Sequence, residues 1–261
     1  MKTLTLADGR AYAFHEVGEG TPLLLLHGFP LSSESFWPQL EAPPKGFRLI
    51  VPDHRGFGAS AQGPGPSTME ALASDALALL DALDVSAAVV GGVSMGGYAS
   101  MALARLDPGR VRGLVLIDTQ ATADDEAGRA RREAVAVDVT QHGVGGLVAG
   151  MIPRLLAAGT SEAVRTRVEA LMLRQAPAAV AAASRGMALR SDSKDLLARF
   201  SGPTLVIVGA HDAITPLPKA KEMADVVSGA QLELVAEAGH LSNLEQPGAF
   251  KRLLEQFATR F

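Results

Sequence analysis

The 261-residue sequence contains no cysteine. The protein therefore has no disulfide bond, no thiolate nucleophile and no cysteine-ligated metal, and any covalent chemistry must use oxygen or nitrogen atoms. Aromatic residues are also scarce, at 5% of the chain, although the hydrophobic fraction reaches 48%. Alanine, leucine and valine are thus expected to build most of the interior of an ordinary globular protein.

Long apolar runs are missing as well. No segment approaches the roughly 18 apolar residues of a membrane span, and the first ten residues lack the apolar run of a signal peptide. The net charge is −4, and lysines and arginines are scattered along the chain instead of forming a basic stripe. These features predict a cytoplasmic protein that binds neither nucleic acid nor membrane.

Signals for metals and nucleotide cofactors are absent too. No group of histidines and carboxylates has the spacing of a metal site. The glycine-rich segment 91–97 lacks the lysine of a phosphate-binding loop and the pattern of a dinucleotide fingerprint. We therefore expect no cofactor and no metal, and a small molecule as the partner.

Short apolar runs alternate with helical patterns over most of the chain. Two alternating segments, 3–6 and 11–17, predict a hairpin at one edge of a sheet. Short, mainly apolar runs predict parallel strands covered on both faces, at 23–26, 49–51, 87–90, 114–117, 205–208 and 232–235. Amphipathic helices are predicted at 68–83, 95–106, 218–227 and 247–257. The fold class is therefore α/β, with a mostly parallel eight-stranded sheet and helices on both faces.

One stretch interrupts this alternation. Between about residues 120 and 200 no strand pattern occurs, but helical patterns do, including a charged helix over 124–137. The insertion follows the sixth strand and lies above the carboxyl ends of the strands, where open α/β sheets hold their sites. We expect a core domain formed by residues 1–119 and 201–261, and a helical cap subdomain over 120–200.

Ser94 lies on a strand, turn and helix with the pattern G-x-S-x-G over residues 92–96. The flanking glycines let neighbouring backbones approach closely, and the strained turn presents the serine hydroxyl above the sheet. An ordinary turn with Ser94 as a helix cap is the alternative interpretation of this pattern alone. A serine nucleophile also requires a base and a group that orients that base.

Candidates for both groups follow later strands. Asp212 comes after the seventh predicted strand, and His240 comes after the eighth. Both therefore lie on loops at the same rim of the sheet as Ser94. The chain order serine, aspartate, histidine is the order expected for a serine nucleophile on this type of turn.

Four motifs together resemble the α/β-hydrolase fold superfamily, and within it the small cofactor-free esterase, lactonase and haloperoxidase-like group. They lie at 27–30, 53–60, 92–97 and 238–247. The resemblance covers the chain except the cap. It implies that Ser94 is the nucleophile, His240 the general base and then acid, and Asp212 the orienting carboxylate. Some relatives carry the acid one strand earlier, so Asp118 remains an alternative to Asp212.

The other polar residues of these motifs are expected to be structural. His27 is expected to brace the loop that follows the third strand, and His54 the loop of the second motif. By the resemblance, Asp53 and Arg55 hold loops together and stand outside catalysis. His211 adjoins Asp212 but is expected at the surface.

Donors to the substrate oxygen and a substrate pocket complete the predicted site. The tetrahedral intermediate of acyl transfer carries a negative charge that requires hydrogen-bond donors. The backbone N–H of Met95 at the helix start is one donor, and the resemblance supplies the N–H of Phe29 as the second. Leu147, Met151 and Leu155 share one face of a cap helix and are expected to help form an apolar pocket.

These residues predict a serine hydrolase that cleaves a carboxylic ester or lactone of a small, largely apolar substrate through an acyl-enzyme intermediate. Serine at position 94, where an aspartate would be required, argues against a dehalogenase or an epoxide hydrolase. Leu241 after the histidine disfavours a carbon–carbon hydrolase. Two alternatives remain, namely a cofactor-free perhydrolase of the haloperoxidase-like type and a slow-turnover ligand receptor on the same fold.

Overall fold

Eight strands form one sheet in the computed structural model, which describes residues 1–261. The strands are β1 (Lys2–Thr5), β2 (Ala11–Gly18), β3 (Gly20–Leu26), β4 (Gly46–Pro52), β5 (Ala88–Val93), β6 (Val111–Ile117), β7 (Thr204–Gly209) and β8 (Gln231–Val235). Their order across the sheet is β1-β2-β4-β3-β5-β6-β7-β8. The β1–β2 and β2–β4 pairs are antiparallel, and all other neighbours are parallel. The predicted α/β class and mostly parallel eight-stranded sheet are confirmed.

Helices connect the parallel strands and build the insertion. They are α1 (Trp37–Glu41), α2 (Met69–Ala82), α3 (Met95–Leu106), α4 (Glu126–His142), α5 (Gly145–Leu155), α6 (Glu162–Leu173), α7 (Pro177–Ala188), α8 (Lys194–Arg199), α9 (Leu217–Val226), α10 (Ser242–Glu245) and α11 (Pro247–Ala258). None of them is both long enough and apolar enough to span a membrane.

Local sequence explains where the crossover helices begin and end. Thr68 caps α2, because its side chain accepts a hydrogen bond from the N–H of Ala71 at 3.1 Å. The apolar residues of α2 that share a face are buried, namely Leu72, Ala76, Leu79 and Leu80. Helix α3 ends before Pro108, whose ring cannot continue the helix.

Burial along the strands follows their position in the sheet. Every residue of β5 is buried, as expected for a strand with parallel neighbours on both sides. The prediction that residues 232–235 form a strand covered on both faces is wrong for one face. Strand β8 pairs only with β7, and Leu234 is 53% exposed. The mainly apolar segment, interrupted by Glu233, therefore predicted a strand here but not its place at the sheet edge.

Five helices, α4 to α8, lie between β6 and β7, and no strand interrupts them. Asp125 caps α4 by accepting a hydrogen bond from the N–H of Gly128 at 2.6 Å. The helix runs on to His142, beyond the predicted end at residue 137, and Gly143 follows with a φ of 78°. The division into a core and a cap over 120–200 stays a prediction, and this helical insertion is what supports it.

Candidate active site

Ser94 stands at a strained turn between β5 and α3. Its φ of 53° lies in the left-handed region, which residues other than glycine rarely adopt. The Ser94 N–H donates to the carbonyl oxygen of Ile117 at 2.9 Å, and the Ser94 carbonyl oxygen accepts from Thr119 Oγ1 at 2.8 Å. Contacts from the end of β6 and from Thr119, two residues beyond it, thus hold a backbone geometry that costs about 1–3 kcal/mol.

Glycines surround this turn because backbone segments touch there. A Cβ atom on Gly92 would collide with the backbone of Gly96, and one on Gly96 would collide with the carbonyl group of Leu26. A Cβ on Gly28 would lie 3.3 Å from the carbonyl oxygen of Val93 and 3.6 Å from Ser94 Cβ. The loop after β3, which carries Phe29, therefore packs directly against the serine turn.

Asp212 and His240 meet at the carboxyl ends of β7 and β8. Nδ1 of His240 lies 2.9 Å from Oδ1 and 2.8 Å from Oδ2 of Asp212, and the side chains are 2% and 0% exposed. A carboxylate only accepts hydrogen bonds, so Nδ1 carries the proton and Nε2 is left as the acceptor. That tautomer is the one a general base requires.

The two groups shift each other's pKa. Burial disfavours the imidazolium, but the hydrogen bond and negative charge of Asp212 outweigh burial and raise the pKa of His240 above its ordinary value. Burial also opposes ionisation of Asp212, yet the hydrogen bond and charge of His240, with backbone donors, lower the pKa of Asp212. The pair is therefore arranged to stabilise a protonated His240.

Asp118, the alternative carboxylate, has other partners. Its Oδ1 accepts from the N–H of Gly209 at 2.8 Å, and its Oδ2 accepts from the N–H of Ser242 at 3.0 Å and from Ser242 Oγ at 2.6 Å. Burial and the nearby charge of Asp212 raise the pKa of Asp118 to about 7. Asp118 ties the end of β7 to α10 and makes no hydrogen bond to His240, so the geometry favours Asp212 as the orienting group.

His27 and His54 form a buried pair whose rings lie 4.2 Å apart. The N–H of His54 donates to Nε2 of His27 at 3.0 Å, and Nδ1 of His27 donates to the carbonyl oxygen of Gly28 at 2.9 Å. Burial lowers the pKa of His27 to about 4 and lowers the pKa of His54 well below its ordinary value. Both rings are therefore neutral braces between the loops after β3 and β4. His211 is exposed, as expected.

Asp53 and Arg55 connect loops in the second motif. Asp53 Oδ1 accepts from the N–H of Ser33 and Oδ2 accepts from the N–H of Ala59, both at 2.8 Å. Nε of Arg55 donates to Asp75 Oδ2 at 2.7 Å. Neither side chain forms a hydrogen bond or an ion pair with His240 or Asp212, which supports the structural roles predicted for them.

A cavity of about 340 Å³ lies between this edge of the sheet and helices α4 and α5. Its apolar and aromatic wall consists of Phe29, Tyr98, Val135, Leu147, Met151 and Ile214. Thr215 also lines the cavity, and its Oγ1 lies 3.3 Å from Nδ1 of His240. The cavity thus reaches the residues that support the candidate base.

The predicted pocket residues separate into two groups. Leu147 and Met151 line the cavity together with Phe29, whereas Leu155 is buried and is not part of the lining. Met95 is fully buried at the first position of α3, directly after Ser94. Contact of these residues with a substrate, and the role of the Phe29 and Met95 N–H groups as donors, stay predictions.

A family model described as "alpha/beta hydrolase fold" matches residues 21–247. The chain belongs to the α/β-hydrolase family. Its structure is similar to a thermophilic esterase from Thermogutta terrifontis, with a TM-score of 0.96, 38% sequence identity, and coverage of 100% of this chain and 99% of that one.

Two curated relatives of this α/β-hydrolase differ in activity. This chain is 33% identical to 3-oxoadipate enol-lactonase 2 of Acinetobacter baylyi, over 82% of this chain and 79% of that one. It is 30% identical to a putative non-heme haloperoxidase of Mycobacterium phage D29, over 82% of this chain and 80% of that one. The relatives therefore include the esterase, lactonase and haloperoxidase types that the motifs resemble.

The sequence did not predict a role for two residues of the α/β-hydrolase site, Thr215 and Glu245. Thr215 donates from its N–H to Asp212 Oδ1 at 2.9 Å and from Oγ1 to Oδ2 at 2.8 Å, so it orients the carboxylate. The sequence feature that could have predicted this contact is a threonine three residues after an aspartate in a loop, a spacing typical of side-chain capping. Glu245 accepts hydrogen bonds from the N–H groups on both sides of His240, at 2.8 Å from Gly239 and 3.3 Å from Leu241.

Metal binding finds no support in the arrangement of the acidic and histidine side chains. No group of three or more of them is placed to hold a metal ion.

Proposed function

We propose that this α/β-hydrolase cleaves carboxylic esters or lactones, with Ser94 as nucleophile, His240 as base and acid, and Asp212 as the orienting carboxylate. The observation that carries the proposal is the buried contact between Asp212 and Nδ1 of His240, at 2.8 Å, on the edge of the sheet where the strained Ser94 turn ends β5. The similarity to an esterase and to an enol-lactonase supports the same class of reaction.

The reaction begins with proton transfer from Ser94 Oγ to Nε2 of His240 as Oγ forms a bond to the substrate carbonyl carbon. The carbonyl oxygen becomes an oxyanion, for which the N–H groups of Phe29 and Met95 are the proposed donors. The bond to the alkoxy group then breaks, and His240 returns the proton to the leaving oxygen. Water, deprotonated by His240, hydrolyses the acyl-enzyme and restores Ser94.

The cavity supports a class of substrate for this proposal. Its volume of about 340 Å³ accommodates a small molecule, and Phe29, Leu147 and Met151 offer it an apolar wall. Substrates of small size with an apolar acyl or alcohol part therefore fit the proposal best.

Hydrolysis of 4-nitrophenyl acetate and labelling by a fluorophosphonate test the proposal together. The wild-type protein is expected to turn over the ester and to gain the phosphonyl mass on the peptide containing Ser94. Ser94→Ala should lower turnover by about 10⁶-fold, since the triad acts as a unit. Ser74→Ala, at an exposed serine of α2, serves as the matched control. Equal turnover by Ser94→Ala and wild type would contradict the proposal.

Perhydrolysis is a second candidate activity, favoured by the similarity to the phage haloperoxidase. In that reaction hydrogen peroxide takes the place of water and attacks the acyl-enzyme, giving a peracid. Peracid formation from a carboxylate and peroxide, lost in Ser94→Ala, would support it. Unchanged ester turnover with no peracid would leave hydrolysis as the sole activity of the site.

A further inference from the structure

Two arginines in the cavity wall lack a carboxylate partner. Arg131 of α4 and Arg154 of α5 both line the cavity, and neither side chain forms an ion pair or a hydrogen bond within the protein. Arg132, also in the lining, differs because it is paired with Asp124. The wall thus holds three arginines against a single acidic residue, in a protein whose overall charge is −4.

That acidic residue is already engaged. Asp124 Oδ2 lies 3.1 Å from Nε of Arg132 and 2.8 Å from Nη1 of Arg190, and Asp124 Oδ1 accepts a hydrogen bond from Nη2 of Arg190 at 2.9 Å. Arg190 itself is buried beneath the cavity wall, with its guanidinium carbon 4.3 Å from the Tyr98 ring centroid. Asp124 is therefore shared by two guanidinium groups, those of Arg132 and Arg190, and has no charge left to compensate Arg131 and Arg154.

The two free charges line the same cavity as Thr215, which contacts the candidate base. Thr215 lines the cavity together with Phe29, Leu147 and Met151. The two arginines reach the same cavity from α4 and α5. A guanidinium group binds a carboxylate through two parallel hydrogen bonds, which is a stronger and more directional contact than a neutral pair makes. The cavity is thus suited to a molecule with an apolar body and an anionic end.

We infer that Arg131 and Arg154 bind a free carboxylate on the substrate. The preferred substrates are then esters or lactones in which an apolar segment separates a carboxylate from the scissile carbonyl group. This inference rests on the proposed function and specifies its substrate class. It also makes Arg131 and Arg154 determinants of specificity, distinct from the groups that react.

Two sets of esters of equal chain length test the inference. One set contains 4-nitrophenyl monoesters of glutaric, adipic and suberic acids, and the other contains 4-nitrophenyl esters of the corresponding monocarboxylic acids. At low ionic strength, kcat/KM of the wild type is expected to be about tenfold higher for at least one anionic ester than for its neutral counterpart, mainly through KM. Added salt should reduce this ratio, because the arginines are exposed at the wall.

The double variant Arg131→Gln/Arg154→Gln is expected to lower the ratio of anionic to neutral kcat/KM about tenfold. The matched control is Arg129→Gln, since Arg129 is an exposed arginine of α4 that lies outside the cavity lining. It should leave the ratio at the wild-type value. Competitive inhibition by adipate gives a second readout and should weaken in the double variant alone.

Each result separates the two proposals. Turnover of neutral esters that depends on Ser94, combined with a ratio near one in both wild type and the double variant, would overturn the inference and leave the hydrolase proposal standing. Absence of turnover on both ester sets in the wild type would contradict the proposed function, and the inference with it. A salt-sensitive ratio that also falls in Arg129→Gln would assign the effect to general charge and overturn the role of the cavity arginines.

Discussion

The backbone N–H of His240 donates a hydrogen bond to the carbonyl oxygen of Leu155, at an N···O distance of 2.8 Å. Leu155 is the last residue of α5, so the inserted helices hold the candidate base directly. Glu245 adds to this connection, because its Oε1 accepts from the N–H of Gly239 at 2.8 Å and its Oε2 accepts from the N–H of Ala157 at 2.7 Å. One carboxylate thus joins the His240 loop to the segment after α5.

Glu245→Gln should therefore lower kcat without removing any reacting group. The amide nitrogen of glutamine cannot accept a hydrogen bond, so donors now satisfied by one carboxylate oxygen lose their partner, at about 1–3 kcal/mol. We expect kcat to fall about tenfold while KM changes less, because the His240 loop becomes less ordered. Steady-state kinetics with a 4-nitrophenyl ester measure both constants.

The matched control for Glu245→Gln is Glu237→Gln. Glu237 is exposed in the loop that carries His240, and its side chain has no hydrogen-bond or ion-pair partner. Wild-type kcat in Glu245→Gln, or an equal fall in both variants, would contradict a positioning role for Glu245.

The pH dependence of kcat/KM should report the Asp212–His240 pair. Activity requires neutral His240, and the pKa of His240 lies above its ordinary value of 6.5 because Asp212 outweighs the effect of burial. Activity should therefore rise with pH through an apparent pKa above 6.5. Asp212→Asn removes the negative charge, so the acidic limb should move to lower pH while kcat falls by about 10³–10⁴-fold. An acidic limb at the same pH in both proteins would show that the pair does not control activity.

Asp118→Asn separates the two candidate carboxylates. Asp118 contacts Gly209 and Ser242 and makes no hydrogen bond to His240, so this variant should retain much more activity than Asp212→Asn. Near-wild-type activity in Asp212→Asn with an inactive Asp118→Asn would reverse the assignment.

The stability of the protein gives an independent readout of Asp118. Its pKa is raised from 3.8 to about 7 in the folded state, first by burial and then by the charge of Asp212. Between these values the unfolded chain binds fewer protons at this residue than the folded one does, so the contribution of Asp118 to the free energy of unfolding falls as pH rises. Denaturant unfolding from pH 4 to pH 7 should show a smaller fall in Asp118→Asn than in wild type. Equal slopes would contradict the raised pKa.

Local patterns in the sequence predicted most of the fold and the places of Ser94, Asp212 and His240. Each of these residues follows an apolar strand, and parallel strands end at the same edge, so chain position alone brought the three loops together. The partners that fix their geometry were not predictable in the same way. Thr215 and Glu245 act through hydrogen bonds to particular backbone groups, and these depend on loop conformations that no periodic pattern encodes.

Helical periodicity was informative about the faces of α5 but not about what each face meets. Leu147, Met151 and Leu155 lie on one apolar stripe, yet the first two line the cavity and Leu155 is buried. The sequence did not predict that Arg131 and Arg154 line the cavity, because charged residues on a helix usually face solvent. The cavity lies between helices of the insertion and loops of the sheet that are far apart in the sequence. No local pattern in the sequence therefore predicts it.

Gly150→Ala should stabilise the protein, because Gly150 occupies the interior of α5 without a packing reason for glycine. A Cβ atom there meets no atom within 4 Å, and alanine is favoured over glycine in helix interiors by about 1 kcal/mol. The control is Gly143→Ala, at a position that is equally open but has a φ of 78°, where alanine is strained and should destabilise. The free energies of unfolding in denaturant should therefore change in opposite directions. A change of the same sign in both variants would show that available space, and not backbone conformation, decides the outcome at these two sites.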